Sequence, residues 1–398
     1  MSFPRAPICR VADFNPVGPK GSTLGTNQVA FVPMAAVSED GSMRVAEHKA
    51  GSDLSNGYSY FQSGDVLVAK ITPCFENNKI AVANIDRDHG FGSTEFHVLR
   101  PHDELDARYL AYFLRQDSIR ELGQKRMTGS AGQRRVPRQF LEQLEIPLPP
   151  LDEQRRIAAI LDHADALRHK RREAVAQLGT LRAALLAELL SSLGSEIRFL
   201  SLAECISEFR YGTSEKATGT GLPVLRIPNV IGSTIALEDL KYVPLSEKET
   251  ARLRLQSGDL IFVRTNGNRD YVGRSAVVTS NLGKEMGLTP GDFVYASYLI
   301  RGRPETSKVS PVFLQSYLSS ADGRRSMLER AKTSAGQFNI NVESLSSLPV
   351  PVPDLRMQRE FATKVITIDI EVQRSRVHER HLGTLFSSLQ HRAFRGEL

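Results

Sequence analysis

Several residue types that mark particular protein classes are scarce or missing in this sequence of 398 residues. It has no tryptophan, and its three cysteines (Cys9, Cys74 and Cys205) are too widely separated for a zinc site or a disulfide framework. Such cysteine usage is typical of a reducing compartment. No apolar run approaches the roughly eighteen residues of a membrane span, and the N-terminal residues lack a signal peptide's apolar segment. We therefore expect a cytoplasmic protein with no membrane partner.

Familiar enzyme motifs are also missing. The sequence contains no GxGxxG, no GxxxxGK[ST] and no HExxH, and neither Asn-Pro-Pro-Tyr nor Asp-Pro-Pro-Tyr occurs. The histidines His163, His169, His378 and His381 have no cysteines or acids arranged with them as ligands. We therefore predict no catalytic residue, no metal site and no cofactor in this chain.

The overall composition is that of a globular protein, with 41% hydrophobic and 24% charged residues. The length favours two to three domains. The net charge of +6 is a modest indication of a polyanionic partner.

The longest regular feature follows Pro147, Pro149 and Pro150, which exclude a helix there because proline lacks a backbone N–H. From Leu151 to Leu193 there is no proline and only one glycine. We predict one helix of about forty residues, roughly 60 Å long. Heptad spacing relates five residues along it: Ile157, Ala164, Arg171, Leu178 and Leu185. This spacing favours a coiled coil, and the alternative is a long helix lying on a globular domain.

The partner helix is predicted in the same chain, which contains an internal duplication. Residues of the proline segment and the first helix align without gaps on residues 204 positions later, as 351 − 147 = 204 for Pro147 and Pro351. Further matches are Pro149 with Pro353, Leu151 with Leu355, Gln154 with Gln358, Arg155 with Arg359 and Asp165 with Asp369. The heptad stripe recurs at Phe361, Ile368, Ser375, Leu382 and Leu389. We expect the two helices to pair antiparallel.

The rest of the chain forms two similar halves. Residues 1 to about 150 are predicted to be mixed α/β, with strands at 28–37, 64–71, 79–85 and 94–99 and a helix at 105–125. The tetrapeptide Gln62-Ser63-Gly64-Asp65 recurs as Gln256-Ser257-Gly258-Asp259, and a corresponding helix is predicted at 311–332.

The predicted fold class is therefore α+β. Two domains of mixed α/β fold are separated by two long helices that form an antiparallel coiled coil, with a pseudo-two-fold internal repeat. The predicted boundaries are 1–148 and 196–350 for the globular domains, 149–195 for the central helix and 351–398 for the C-terminal helix.

Basic and amide residues follow the same predicted strand in both halves. Lysine and arginine neutralise phosphates, and asparagine and arginine make paired hydrogen bonds to adenine and guanine edges. The candidate DNA-binding residues of this first loop are Lys70, Thr72, Asn77, Asn78 and Lys79, and, in the second half, Arg264, Thr265, Asn266, Asn268 and Arg269. The alternative is an ordinary turn, for which Asn-Gly and proline are equally suitable.

A second loop precedes each proline segment. It is rich in small residues, which allow the backbone to approach a phosphate closely. The candidate DNA-binding residues are Ser130, Gln133, Arg134, Arg135 and Arg138 in the first half and Ser334, Gln337 and Asn339 in the second. A solvated run of charge is the alternative. A third loop, at 33–37 and 226–230, gives a weaker indication of polyanion binding.

These features together resemble the specificity (S) subunit of Type I restriction–modification enzymes over essentially the whole chain. The segments that carry the resemblance are PLPPLDEQRRIAAIL at 147–161, PVPVPDLRMQREF at 349–361, SGDVLVAKITPCFENNK at 63–79 and SGDLIFVRTNGN at 257–268. GSAGQ and TSAGQFNI, before the proline segments, match as well. The second helix departs from the family pattern at Asp354 and Met357, where proline and glutamate are more usual.

The resemblance implies two target-recognition domains, each recognising one half of a bipartite sequence in double-stranded DNA, with the helices setting the gap. It also implies two modification (M) subunits as partners, which bind S-adenosylmethionine and methylate adenine N6. Restriction (R) subunits, which use ATP and Mg²⁺, would join through the M subunits.

Three other interpretations remain open at this point. The chain could be the recognition subunit of a related bipartite-site Type II system, a coiled-coil scaffold that binds no DNA, or an enzyme of unrecognised type.

Overall fold

The structure, a computed structural model, describes residues 3–54, 57–130, 132–194, 197–334 and 336–398. It divides into two compact units. Unit 1 is Met1–Arg172 with Val377–Leu398, and unit 2 is Glu173–Arg376. Each unit therefore contains a globular part and one segment of each long helix.

The strands of unit 1 form two four-stranded sheets and one pair. They are β1 (Arg5–Pro7), β2 (Ala12–Phe14), β3 (Gln28–Val32), β4 (Glu47–Ala50), β5 (Ser59–Phe61), β6 (Val66–Ala69), β7 (Ile80–Val82), β8 (Gly90–Gly92), β9 (Phe96–Pro101) and β10 (Glu145–Pro147). The sheet orders are β2-β9-β6-β7 and β4-β3-β8-β5, and β1 pairs with β10. The first sheet is antiparallel, and its central strand β6 is buried along its whole length, as its apolar sequence VLVA predicts.

The helical region of unit 1 differs from the prediction. Its helices are α1 (Ile8–Val11), α2 (Gly21–Leu24), α3 (Ala107–Leu114), α4 (Asp117–Arg126) and α5 (Arg138–Glu142). The single helix predicted at 105–125 is wrong, because the chain turns at Gln116, whose backbone is extended. The turn lets the buried residues of α3 and Ile119 of α4 pack into one hydrophobic core.

Unit 2 repeats this arrangement. Its strands are β11 (Phe199–Ser201), β12 (Ile206–Tyr211), β13 (Leu222–Leu225), β14 (Val230–Ile231), β15 (Thr234–Ile235), β16 (Lys241–Val243), β17 (Leu260–Val263), β18 (Thr265–Asn266), β19 (Ser275–Val277), β20 (Val294–Tyr295), β21 (Leu299–Pro304), β22 (Lys332–Ser334), β23 (Gln337–Asn339) and β24 (Pro349–Pro351). The antiparallel sheet β12-β21-β17-β19 has the order of β2-β9-β6-β7, and β11 pairs with β24 as β1 pairs with β10. The predicted internal repeat is therefore present in the tertiary structure of each unit.

The predicted helix at 311–332 is also interrupted. The helices here are α7 (Leu202–Cys205), α8 (Glu247–Leu253), α9 (Pro311–Ser319), α10 (Ala321–Arg330) and α11 (Val342–Ser346). Ser320 ends α9 and caps α10, because its side chain accepts a hydrogen bond from the backbone N–H of Gly323 at 3.2 Å.

Two long helices complete the fold, α6 (Leu151–Ser192) and α12 (Leu355–Ala393), and they pair antiparallel as predicted. In unit 1, Arg156 of α6 donates to the carbonyl oxygen of Leu398 and Arg172 pairs with Glu379 at 3.0 Å. In unit 2, Arg182 pairs with Asp369 at 3.2 Å. In unit 1, residues later in α6 therefore contact residues earlier in the C-terminal segment, so the two helices run antiparallel.

A buried glutamine fastens the start of each long helix to its own globular part. In unit 1, Gln154 accepts a hydrogen bond from the backbone N–H of Asp106 at 2.9 Å and donates to the carbonyls of Glu104 and Pro149. Gln358 makes the equivalent contacts in unit 2, to Ser310, Lys308 and Pro353. These contacts explain why the repeated glutamine aligns in the sequence.

One expectation about hydropathy needs correction. Within the described residues, one helix, Leu151–Ser192, is long and apolar enough by composition to cross a membrane. Alanine and leucine, which favour the helix, also raise its hydropathy. A single such helix is weak evidence for a membrane span, because helices of soluble proteins reach the same values. This one also carries Arg182, which pairs with Asp369 of α12.

Candidate nucleic-acid interface

The two predicted loops of unit 1 meet at the end of β6. Lys70 follows this strand, and its carbonyl accepts a hydrogen bond from the backbone N–H of Val136 at 2.8 Å. Thr72 donates its N–H to the carbonyl of Arg134 at 2.9 Å, and Ile71 forms a β-bridge with Arg135. Residues separated by more than sixty positions in sequence are thus joined by backbone hydrogen bonds.

The side chains of the first loop have different environments. The Thr72 hydroxyl donates to Glu76 at 2.8 Å. Asn77 is exposed, and Asn78 has a left-handed backbone with φ of 60°. The ammonium group of Lys79 donates to the carbonyl of Met34 at 3.3 Å, so the weakly predicted third loop contacts the first.

The second loop of unit 1 contains an ion pair that the sequence did not indicate. Arg135 donates from Nε and Nη2 to the carboxylate of Glu95, at 2.9 and 2.8 Å. Arg138 lies on α5, pairs with Glu142 at 2.6 Å and lies over the ring of Phe14. Exposed positions of the loop are Ser130 and Gln133, and Arg134 is half-buried. Ala131 of the repeated Ser-Ala-Gly motif lies outside the described residues.

Unit 2 brings its two loops together by the same backbone contact. The N–H of Ile340 donates to the carbonyl of Arg264 at 2.9 Å, where Val136 and Lys70 make this bond in unit 1. Thr265 and Asn266 form β18, which joins the sheet β18-β23-β22. The Thr265 hydroxyl donates to the amide oxygen of Gln337 at 2.9 Å.

Other predicted residues of unit 2 mainly shape the turn. The side chains of Asn266 and Asn268 accept backbone hydrogen bonds two residues further on, as turn-forming asparagines do. Arg269 is directed to the carbonyl of Leu328 at 3.5 Å. Asn339 lies on β23, opposite Thr265. Ser334 ends β22, but its side chain is outside the described part, as is Ala335.

Aromatic and acidic residues that the sequence did not indicate also lie here. The guanidinium of Arg264 lies 4.9 Å from the ring centre of Tyr211. The N–H of Lys70 donates to the carbonyl of Glu95, and that of Arg264 to the carbonyl of Tyr298, both at 2.9 Å. Glu95 and Tyr298 therefore occupy equivalent positions. Both directly precede an observed strand, β9 or β21, and nothing in the sequence pattern indicates a side chain at a polyanion-binding surface.

Beneath the loops of unit 1, a carboxyl group and an imidazole ring both have shifted pKa values. The hydrogen bonds from Arg135 hold the pKa of the Glu95 carboxyl below its usual range, and Lys70 and His97 act in the same direction. Burial lowers the pKa of His97, whose Nε2 lies 2.9 Å from the carbonyl of Val136. The neutral ring with its proton on Nε2 donates this bond and thereby supports the second loop.

The arrangement offers cations, amides and hydroxyls on a backbone fixed by hydrogen bonds, which suits binding of nucleic acid rather than covalent chemistry. Among the described residues, no group of three histidines, cysteines or acids is placed to hold a metal ion.

Comparison with known proteins identifies a domain in the first half. Residues 17–177 match the family model of the Type I restriction modification DNA specificity domain. The chain is 43% identical over 155 residues to the Type I restriction enzyme EcoAI specificity subunit of Escherichia coli. The aligned segment covers 38% of this chain and 26% of that relative. The chain thus spans about a quarter of that relative's length.

Other relatives match over more of the chain. The EcoKI specificity subunit of Escherichia coli strain K12 is 28% identical over 323 residues, covering 76% of this chain and 68% of the relative. The crystal structure of the Type-I restriction-modification system S subunit from M. genitalium superposes with a TM-score of 0.57 at 15% identity. It covers 98% of this chain and 96% of that one, so the fold is shared over both halves.

Proposed function

Because the chain belongs to the family of Type I restriction enzyme specificity subunits, we propose that it recognises a bipartite sequence in double-stranded DNA. Unit 1 would bind one half-site and unit 2 the other, while the long helices set the length of the unspecified gap. The division into recognition domains at 1–148 and 196–350 and helical spacers at 149–195 and 351–398 belongs to this proposal.

The observation that carries the proposal is the repeated contact between the two loops of each unit. The bonds from Val136 to Lys70 and from Ile340 to Arg264 present basic and amide residues at the same point of two similar sheets. The side chains exposed there differ between the units. Equivalent positions with different hydrogen-bonding groups suit the recognition of two different half-sites.

The partners we propose are two modification subunits, with restriction subunits joining through them. An open groove of about 470 Å³ on the helix pair of unit 1 supports a helical partner, since it is lined mostly by apolar side chains. Its lining includes Ile160, Leu167, Leu382, Leu385 and Leu389. S-adenosylmethionine, ATP and Mg²⁺ would bind those partners, and this chain would be a non-catalytic subunit that acts in the cytoplasm.

The first test is the affinity of the purified chain with its modification subunits for duplex DNA, measured by fluorescence anisotropy at several salt concentrations. Each phosphate contact lowers the logarithm of affinity by about 0.9 per unit of log salt. A steep negative slope supports DNA recognition. A complex with no affinity for duplex DNA at low salt would favour the coiled-coil scaffold instead.

The second test maps methylated adenines in a host that carries the whole operon. Replacing residues 196–345 by those of another specificity subunit is expected to change one half-site only. Adding matched turns to both long helices is expected to lengthen the gap and leave the half-sites unchanged. Both half-sites changing after the exchange would contradict recognition by separate units.

A further inference from the structure

Glu95, which pairs with Arg135, lies where an acidic residue is unexpected. Around it lie the basic residues Lys70, Arg134 and Arg138 of the two loops in unit 1. A carboxylate there repels a DNA phosphate and cancels the charge of the arginine beside it. The pair thus adds almost nothing to phosphate binding, whose strength follows the number of phosphates neutralised.

The geometry of the pair leaves one edge of the guanidinium available. Arg135 uses Nε and one N–H of Nη2 for Glu95, at 2.9 and 2.8 Å. Its Nη1 lies 3.3 Å from the carbonyl of Gln133. The arginine side chain is 41% exposed, against 24% for Glu95. One N–H of Nη1 and one of Nη2 remain outside these hydrogen bonds.

A guanidinium held in this way has the donors that guanine accepts. Guanine presents two acceptors, O6 and N7, in the major groove, and arginine binds them with two parallel N–H groups. Fixing the side chain beforehand reduces the rotamer entropy lost on binding. The backbone is fixed as well, because Arg135 is bridged to both Ile71 and Thr128.

The equivalent position in unit 2 supports a role in base recognition. Asn339 pairs with Thr265 and Lys332 there, as Arg135 pairs with Ile71 and Thr128. Tyr298 replaces Glu95, so the arginine and its carboxylate are both absent from these equivalent positions of unit 2. Asparagine carries one acceptor and one donor group, the pattern that matches adenine rather than guanine.

We propose that Arg135, oriented by Glu95, recognises a guanine in the half-site bound by unit 1. Arg135 is then a specificity-determining residue and Glu95 a positioning residue. This inference rests on the proposed function, since it names a base within the half-site of unit 1. The competing explanation is a structural ion pair that only fastens the second loop to the residue before β9.

The test uses the complete complex with its modification subunits and the variants Arg135→Lys and Glu95→Gln. Duplexes that carry each base at every position of the mapped site compete for binding in anisotropy assays. For Arg135→Lys, we expect discrimination for guanine at one position of one half-site to fall about tenfold or more, with the charge and salt slope unchanged. For Glu95→Gln, we expect relaxed discrimination at the same position and higher affinity for non-specific DNA.

Arg108→Lys is the matched control, because Arg108 also pairs with a carboxylate, Asp162, at 2.9 Å but belongs to neither loop. It is expected to leave discrimination unchanged. If the Arg135→Lys and Glu95→Gln complexes melt at the wild-type temperature and discriminate at every position as the wild type does, the inference is overturned. A wild-type complex without sequence preference would instead overturn the proposed function.

Discussion

Units 1 and 2 share a sheet order but differ at three positions in, or just before, the same strand. Glu95, His97 and Val98 of unit 1 correspond to Tyr298, Ile300 and Arg301 of unit 2. The pairing with the central strand establishes the correspondence, since His97 lies opposite Val68 and Ile300 opposite Phe262. The backbone of this strand is therefore the same in both units, whereas its side chains differ. Isoleucine replaces the ionisable histidine, and arginine replaces the apolar valine.

Contacts that hold the sheet together are unchanged. Asp65 accepts hydrogen bonds from Arg100 and from the backbone N–H of Gln62, and Asp259 does so from Arg303 and Gln256. The glycine before each aspartate has a positive φ, 90° at Gly64 and 92° at Gly258, which explains the repeated Gly-Asp. The two units therefore share the contacts that define the turn before the central strand, whereas they differ in residues near the loops.

The largest expected effect concerns the buried cation of unit 2. Arg301 is 2% exposed and donates to Glu208 and to the carbonyls of Arg252 and Arg254. Replacing Glu208 by alanine leaves that charge without a carboxylate, and we expect a loss of about 3 kcal/mol, measured by urea unfolding.

Asp13→Ala is the matched control in unit 1, because Asp13 lies opposite Arg100 as Glu208 lies opposite Arg303. The Asp13 side chain is 67% exposed, so its loss is expected to cost under about 0.5 kcal/mol. Equal losses in the two variants would contradict the difference between the units.

The second prediction concerns the shared contacts. Asp65→Asn and Asp259→Asn each weaken a buried hydrogen-bonded ion pair with the same geometry, so we expect similar losses of about 2 kcal/mol. Urea unfolding of both variants measures this, with hydrogen exchange to assign each loss to its unit. A difference above about 1 kcal/mol would show that the two pairs are not equivalent.

The third prediction is a pH dependence confined to unit 1. Burial lowers the pKa of His97 in the folded chain, so the unfolded chain binds a proton more readily. Stability is therefore lost as the pH falls below the unfolded pKa of about 6.5, by at most about 1 kcal/mol between pH 6.5 and 5.5. Hydrogen exchange in β6 and β9, compared with β17 and β21, measures the effect.

His97→Ile places the residue of unit 2 in unit 1 and is expected to remove that pH dependence. Persistence of the difference between the units in this variant would assign it to another group.

The smallest effect is expected at the first loops. Lys70→Ala and Arg264→Ala should each reduce the salt slope of DNA binding by about 0.9 and weaken affinity, with stability changed by under about 0.5 kcal/mol. Anisotropy titrations at several salt concentrations measure this. Unchanged affinity at moderate salt would remove either residue from the interface.

Much of the fold was predictable because local sequence patterns determine it. The prolines ending at Pro150 and the heptad residues predicted α6 within two residues at each end. The break at Gln116 was not predictable, since its cause is the packing of two short helices on one core. The contacts of Gln154 were also missed, because its partners lie almost fifty residues earlier in the chain.

For the candidate site, sequence repetition identified the two loops of each half and most of their polar residues. It did not show that Arg135 pairs with Glu95 or that Arg138 lies apart on α5. Whether these predicted residues contact DNA stays a prediction.

By itself, the sequence determined the duplication, the long helices and the positions of the polar loops, because periodicity and turn chemistry act between near neighbours. Only the tertiary structure decided which charges meet. Pairing of Glu95 with Arg135 and burial of Arg301 depend on how strands distant in sequence align in a sheet. That alignment arises from packing of the whole core, which a linear pattern of residues does not contain.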